Sequence, residues 1–286
     1  MGLKSVDDFV YVLLVEAVAA VVTNLVLVWV VMSVRNKSRE VWLALTLAGV
    51  DVTLAMLVIV NFSLKLDNVF TMEEMCRFKG PLDFVLIFAS MALVSIISLE
   101  RSSVAVSRRV TAGVWGLLGL VSGVFLSLVF VETINMEFTV TASGLACAPV
   151  ASNSPLSAFL LFVLSASIFT FLIITFVSYV RILVLLGGWG LIEPKPDSPD
   201  QINPVLRKRS VMIRILSISF IYLLLLAPCS LTMMMESLKV VKAPDVASLI
   251  ISILLATVSI INPCIILFAH TAIYRQLCFK LTEMLG

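Results

Sequence analysis

The sequence predicts an all-α membrane protein: a seven-transmembrane helix bundle with its N-terminus outside and a short amphipathic eighth helix. Three observations predict it. Hydrophobic residues fill 60% of the 286 positions and charged residues 13%, against roughly 45–50% and about 25% in a soluble domain, so a water-soluble globule has nowhere to hide the apolar surface. Apolar runs such as 10–34, 117–134 and 158–186 match the roughly 20 residues that cross a hydrocarbon core of about 30 Å. Lys and Arg fall in the connections, mostly on one side, as positively charged residues held on the cytoplasmic face do.

The expected spans are 8–34, 41–64, 78–106, 112–134, 155–186, 210–236 and 245–269, with the amphipathic segment at 271–284. They are helices because lipid offers no water to the backbone N–H and C=O groups, which only helices or closed barrels satisfy internally. Barrel strands would alternate polar and apolar residues, and these runs do not. The connections are short except 187–209, whose adjacent glycines and four prolines predict a flexible third cytoplasmic loop. The whole chain, 1–286, reads as one bundle domain without internal repeats, which argues against transporters built from duplicated halves.

Direction follows from the basic residues. With the N-terminus outside, fourteen lie on the inner face, from Arg35 to Lys280, and six on the outer: Lys4, Lys65, Arg77, Lys79, Lys239 and Lys242. The opening MGLKSVDDF lacks the basic and small-residue features of a cleaved leader, so the first helix is expected to act as its own signal. A net charge of +2 with no basic stripe excludes nucleic acid as a partner.

Charged side chains inside spans cost at least about 2.5–3.5 kcal/mol at mid-bilayer and mark function by default. Asp51 lies midway along the second span, Asp83 near the outer end of the third, and Glu100-Arg101 near its inner end. Asp51 reads either as a functional carboxylate or as a protonated one bonded to neighbouring helices. Asp83 reads either as a ligand contact or as a solvated loop carboxylate. Pro228 and Pro263 lie deep in the sixth and seventh spans, where each removes a backbone hydrogen bond. Asn262, beside Pro263, is placed to bond the freed carbonyls or to reach Asp51.

These landmarks together resemble the rhodopsin-like G-protein-coupled receptors. Asn24 looks like the first-helix asparagine, and Leu47 and Asp51 like the second-helix LxxxD pattern. Cys76 precedes Arg101 by 25 positions, the family's separation between its disulfide cysteine and the arginine of its D/E-R-Y motif, here Glu100-Arg101-Ser102. Trp115, Tyr179 and Pro228 stand at the fourth-, fifth- and sixth-helix landmarks, and Asn262-Pro263 opens the NPxxY motif. The chain also departs from the pattern. Ile266 replaces the last tyrosine of NPxxY, Ser102 that of D/E-R-Y, Phe171 the fifth-helix proline, and Leu225-Leu226-Ala227-Pro228 the usual Cys-Trp-x-Pro. It reads as a divergent member.

The resemblance implies a plasma-membrane receptor, multi-pass, that transmits binding of an extracellular small molecule or short peptide to a heterotrimeric G protein, with arrestin as a further partner. It places Glu100, Arg101, Tyr179, Asn262 and Pro263 in the coupling switch. It places Asp51, Ser90, Ser259 and Asn262 around either a sodium ion or a water-filled polar seam. Asp83, Cys229, Ser230 and Ser252 fall on ligand-binding positions. A cationic ligand suits Asp83, but no aromatic cage accompanies it. Cys76 and Cys147 are the expected disulfide on the oxidising side. Cys229 and Cys264 read as small core residues, and Cys278 as either a palmitoylation site or a buried thiol. Arg207, Lys208 and Arg209 stand where many members carry an acidic lock, which implies raised basal activity.

Other classes explain less. Retinal would need a lysine in 245–269, where there is none and Ala256 holds its position. The sole histidine, His270, lies at a helix end, which offers little for a metal centre or a catalytic base, so the chain is not read as an enzyme. The nearest rival is a receptor-like decoy or heterodimer partner that does not activate G proteins, which Ser102 and Ile266 favour. The sequon Asn61-Phe62-Ser63 sits at the end of a span, where glycosylation is sterically hindered.

Overall fold

In a computed structural model, the described residues are 4–34, 39–66, 72–105, 138–140, 147–149, 155–187, 217, 220–228, 230–232, 234, 235, 238, 245–269 and 271–285. The helices are α1 (Lys4–Met32), α2 (Arg39–Leu66), α3 (Met72–Ala105) and α4 (Pro155–Gly187). They continue with α5 (residues 220–228), α6 (Asp245–Ala269) and α7 (Thr271–Leu285). These fall on the first three expected spans, the fifth to seventh, and the amphipathic segment. The fourth span at 112–134, Trp115, and the 188–209 part of the loop lie outside the described residues, as do Arg207, Lys208, Arg209 and His270.

Polar residues lie inside the bundle among apolar ones, and large apolar side chains also cover its outer surface. Asn24, Asp51, Ser90, Ser98 and Asn262 are buried, while Val15, Val22, Trp42, Val177 and Leu224 are exposed. That distribution suits a solvent of lipid, and Tyr11–Met32, Val41–Asn61, Lys79–Ser102 and Ser165–Ile182 are each long and apolar enough to cross it. Hydroxyls on the helices spend their protons on the preceding turn, as in Thr46 to Trp42 O (3.0 Å) and Thr170 to Ala166 O (2.8 Å). This lets them lie where no water competes.

Between α1, α2 and α6, the small residues Ala17, Ala20 and Ala55 form a cluster backed by Val58 and Ile260, so the backbones come close without displacing bulk. A larger apolar cluster, including Leu27, Leu47, Phe88, Leu226 and Ile266, fills the bundle and extends to Ile273 on α7. Phe171 explains its own departure from the family pattern. With no proline there, α4 runs unbroken for 33 residues. Its ring meets Phe88 edge-on at 5.9 Å, and its carbonyl accepts the Ser95 hydroxyl at 3.1 Å.

Two features were not expected from the sequence. Pro81 lies inside α3, not at its start; a proline inside a helix costs a backbone bond but is tolerated when neighbours re-satisfy the carbonyl. Residues 138–140 (β1) and 147–149 (β2) pair antiparallel, with Phe138 opposite Pro149 and Val140 opposite Cys147. The expected disulfide is present: Cys76 joins Cys147, with Cα atoms 5.3 Å apart. It staples β2 to the end of α3 that the charge asymmetry assigns to the outside.

At the other end, α7 lies against α1 with Lys280 Nζ 5.8 Å from the centre of the Trp29 ring and 3.4 Å from Glu283. Cys278 is exposed on this helix, beside exposed Phe279, on a face that suits a lipid surface whether the thiol is acylated or free. The sequon lies within α2, and the Asn61 amide nitrogen is buried, in keeping with hindered glycosylation.

Candidate functional site

Pro263 organises the centre of the bundle. Lacking an N–H, it leaves the Ser259 carbonyl four residues earlier without its helical donor. Asn24 on α1 supplies one: its Nδ2 donates to Ser259 O at 2.9 Å and to Ala20 O at 2.9 Å. The two roles open to Asn262 are thereby divided between two residues. Asn24 takes the freed carbonyl, and Asn262 reaches Asp51. Ser259 enters through its backbone carbonyl, with its side chain buried beside it. Asn24→Leu is expected to orphan that carbonyl and lower stability by about 0.6–1.7 kcal/mol, the span measured for interhelical hydrogen bonds in membranes. Thermal denaturation in detergent checks it; an unchanged midpoint would show that the carbonyl needs no donor.

Around Asp51, itself fully buried at 0% exposure, the donors close into a ring. Ser90 Oγ donates to Asp51 Oδ1 at 2.8 Å. Asn262 Nδ2 donates to Asp51 Oδ2 at 2.8 Å and to Ser90 Oγ at 2.9 Å. The carboxyl oxygens act as acceptors here, so the Asn262 amide must point its nitrogen at them, and its oxygen then faces the opposite way. That oxygen accepts the Tyr222 hydroxyl at 3.0 Å. Both amide protons and both hydroxyl protons are thus spent inside the cluster, which draws on α2, α3, α5 and α6. With the Asn24 bond, five helices meet at this level.

Tyr222 was not among the expected site residues. A phenol in the apolar run FIYLLLLAP was the available signal, weak because tyrosine is common near membrane surfaces. Glu16 was also missed, though a carboxyl inside the first span is the kind of residue that lipid penalises. Its Oε1 accepts the Thr257 hydroxyl at 3.1 Å, tying α1 to α6.

The remaining expected residues are spread along the bundle. Asp83 lies within helix α3 and not in a solvated loop. Its Oδ2 is 3.3 Å from Lys79 Nζ one turn away, and its buried Oδ1 makes no hydrogen bond among the described residues. Ser230 is buried, and its hydroxyl donates to Ser165 O at 3.1 Å, so it cross-links the bundle and is already engaged. Cys229 and the Ser252 side chain lie outside the described residues.

Glu100 and Arg101 are half-buried near the C-terminal end of α3. Ser102 and Tyr179 are each 2% exposed, and both hydroxyls are buried without a hydrogen bond among the described residues. Ile266 is packed in the main apolar cluster, so α6 presents aliphatic volume where the motif would carry a phenol.

Residues 23–266 match the family model described as 7 transmembrane receptor (rhodopsin family). No curated protein matches the chain.

Proposed function

Because the chain belongs to the rhodopsin family of seven-transmembrane receptors, we propose that it carries ligand binding in the outer half of the bundle to a heterotrimeric G protein at the inner end, at the plasma membrane. The observation that carries this reading is the buried polar core. Membrane helices could pack here on aliphatic residues at no polar cost, yet Asp51, Ser90, Asn262 and Tyr222 tie four of them at one level. Intramembrane polar groups are costly and mark functional positions by default, and this set, being fully partnered, holds the four helices in one specific arrangement that ligand binding can bias. A swing of α5 at its inner end pulls on Tyr222 and so on Asn262, which couples the sixth span to the second and third.

Arg101 is the group that meets the transducer. A guanidinium at the inner end of α3 offers charge-assisted donors to the carbonyls or carboxylate of an inserted G-protein segment. The ligand is a small molecule or short peptide, with Asp83 as the counter-charge once Lys79 releases it. Arrestin shares the inner surface. The basic Arg207–Arg209 stretch favours raised basal activity, since the sixth span adds no acid of its own to stabilise the closed bundle.

G-protein activation by the unliganded protein across a transducer panel tests this, with Arg101→Ala as the control. The expected result is a basal signal that Arg101→Ala lowers by about tenfold or more, the loss of one hydrogen bond to a charged group. Equal signal from the two proteins at equal surface expression would remove coupling through Arg101. A second reading, a decoy or heterodimer partner that does not signal, is favoured by Ile266, whose aliphatic side chain leaves the inner end of α6 without a hydroxyl. Silence across the panel selects it.

A further inference from the structure

The family implies a sodium ion beside Asp51, and the residues present do not fit one in this arrangement. A small hard cation needs several oxygen lone pairs directed at one point. Here the Ser90 hydroxyl proton points at Asp51 Oδ1, and the Asn262 amide turns both its protons toward Asp51 and Ser90. The Asn262 oxygen, the atom a cation would take, is held away by the Tyr222 hydroxyl at 3.0 Å. Positive ends of N–H and O–H dipoles therefore line the space beside the carboxylate. Those protons already offset its charge.

We propose that Tyr222 is the residue that decides what neutralises Asp51: by fixing the Asn262 amide, it closes the polar core with hydrogen bonds and excludes the cation. Tyr222 is 3% exposed, so the bond is shielded from competing water and is correspondingly selective between the two orientations of the amide. Removing the hydroxyl leaves the Asn262 oxygen without its donor. The amide is then free to turn that oxygen toward Asp51 and Ser90, which assembles three oxygen ligands from α2, α3 and α6 and creates a sodium site. The inference goes beyond the signalling reading and depends on neither ligand nor transducer.

The test is thermal denaturation of the purified full-length protein in detergent, in sodium chloride and in N-methylglucamine chloride at equal ionic strength. The native protein is expected to show the same midpoint in both salts. Tyr222→Phe is expected to have a lower midpoint without sodium and to gain about 2–4 °C in it, the shift that a cation at several times its Kd gives a protein of this size. Asp51→Asn added to Tyr222→Phe is expected to erase that gain. Tyr222→Met, which keeps apolar volume without a hydroxyl, serves where the phenylalanine variant does not fold. A sodium-specific rise in the native protein overturns the proposal, as does a folded hydroxyl-free variant with no rise. So does a rise that survives Asp51→Asn, because the ion then sits elsewhere.

Discussion

Asn262→Ala is expected to lower stability by about 2–3 kcal/mol, the largest loss of any single substitution in the polar core. The residue makes three hydrogen bonds to other helices, to Asp51, Ser90 and Tyr222. Interhelical bonds in membranes average about 0.6 kcal/mol with a maximum near 1.7, so three give roughly 2. The remainder comes from what is left behind: the Tyr222 hydroxyl and Asp51 Oδ2 stay buried without these partners, and an orphaned buried polar group costs more than the bond it lost was worth. The midpoint in detergent should fall by about 4–10 °C. Pairing the substitution with Tyr222→Phe gives the sharper reading. Since both remove the same Tyr222–Asn262 bond, the double variant should lose less than the two singles added together. Strict additivity would show that the phenol and the amide are energetically independent, whatever their separation.

Cys147→Ser is expected to cost about 2–4 kcal/mol and most of the surface expression. The bond to Cys76 closes a loop of sequence separation 71, for which chain entropy alone gives about 4 kcal/mol in a freely unfolding chain. Spans that stay inserted in the membrane restrict the unfolded ensemble, so the lower part of the range is the better expectation. The structural consequence is local. β2 pairs with β1 through only three residue pairs, and a hairpin that short is marginal without an anchor, so loss of the staple frees the strand layer over the end of α3. Cys76→Ser should match Cys147→Ser, and the double variant should be no worse than either. A double variant with the summed defect of both singles would mean that the cysteines act separately.

How much of this was legible beforehand depends on the kind of physics involved. The helices α1, α2, α3, α4 and α6 fall within a few residues of the runs expected from hydrophobicity, and α6 coincides with its expected span of 245–269. Asp51 announced itself because a charge in an apolar run carries a cost that must be offset somewhere, Asn262 by standing beside Pro263, and Asn24 by its likeness to the family's first-helix asparagine. Their partners did not. Nothing local to Asn24 indicates that it takes the carbonyl released by Pro263, on a helix 235 residues away. Nothing local to Ser230 shows that its hydroxyl bonds the α4 backbone. Asp83 looked solvated or free for a ligand, and it is paired with a lysine one turn away on its own helix. Tyr222 drew no expectation from the sequence, and its hydroxyl donates to the Asn262 amide oxygen at the centre of the core.

By itself, the sequence determined that this chain is a helical membrane protein, that its basic residues gather in the connections, and which few residues carry polarity into apolar runs. Burial free energy and positive-charge retention act residue by residue along the chain, so they can be read without knowing what lies beside what. The tertiary structure alone decided which donor meets which acceptor. That depends on the rotation and depth of each helix against its neighbours, and a shift of one residue turns a side chain about 100° around the helix axis. The direction in which the Asn262 amide faces is set at that level, by its bonds to Tyr222 and Asp51.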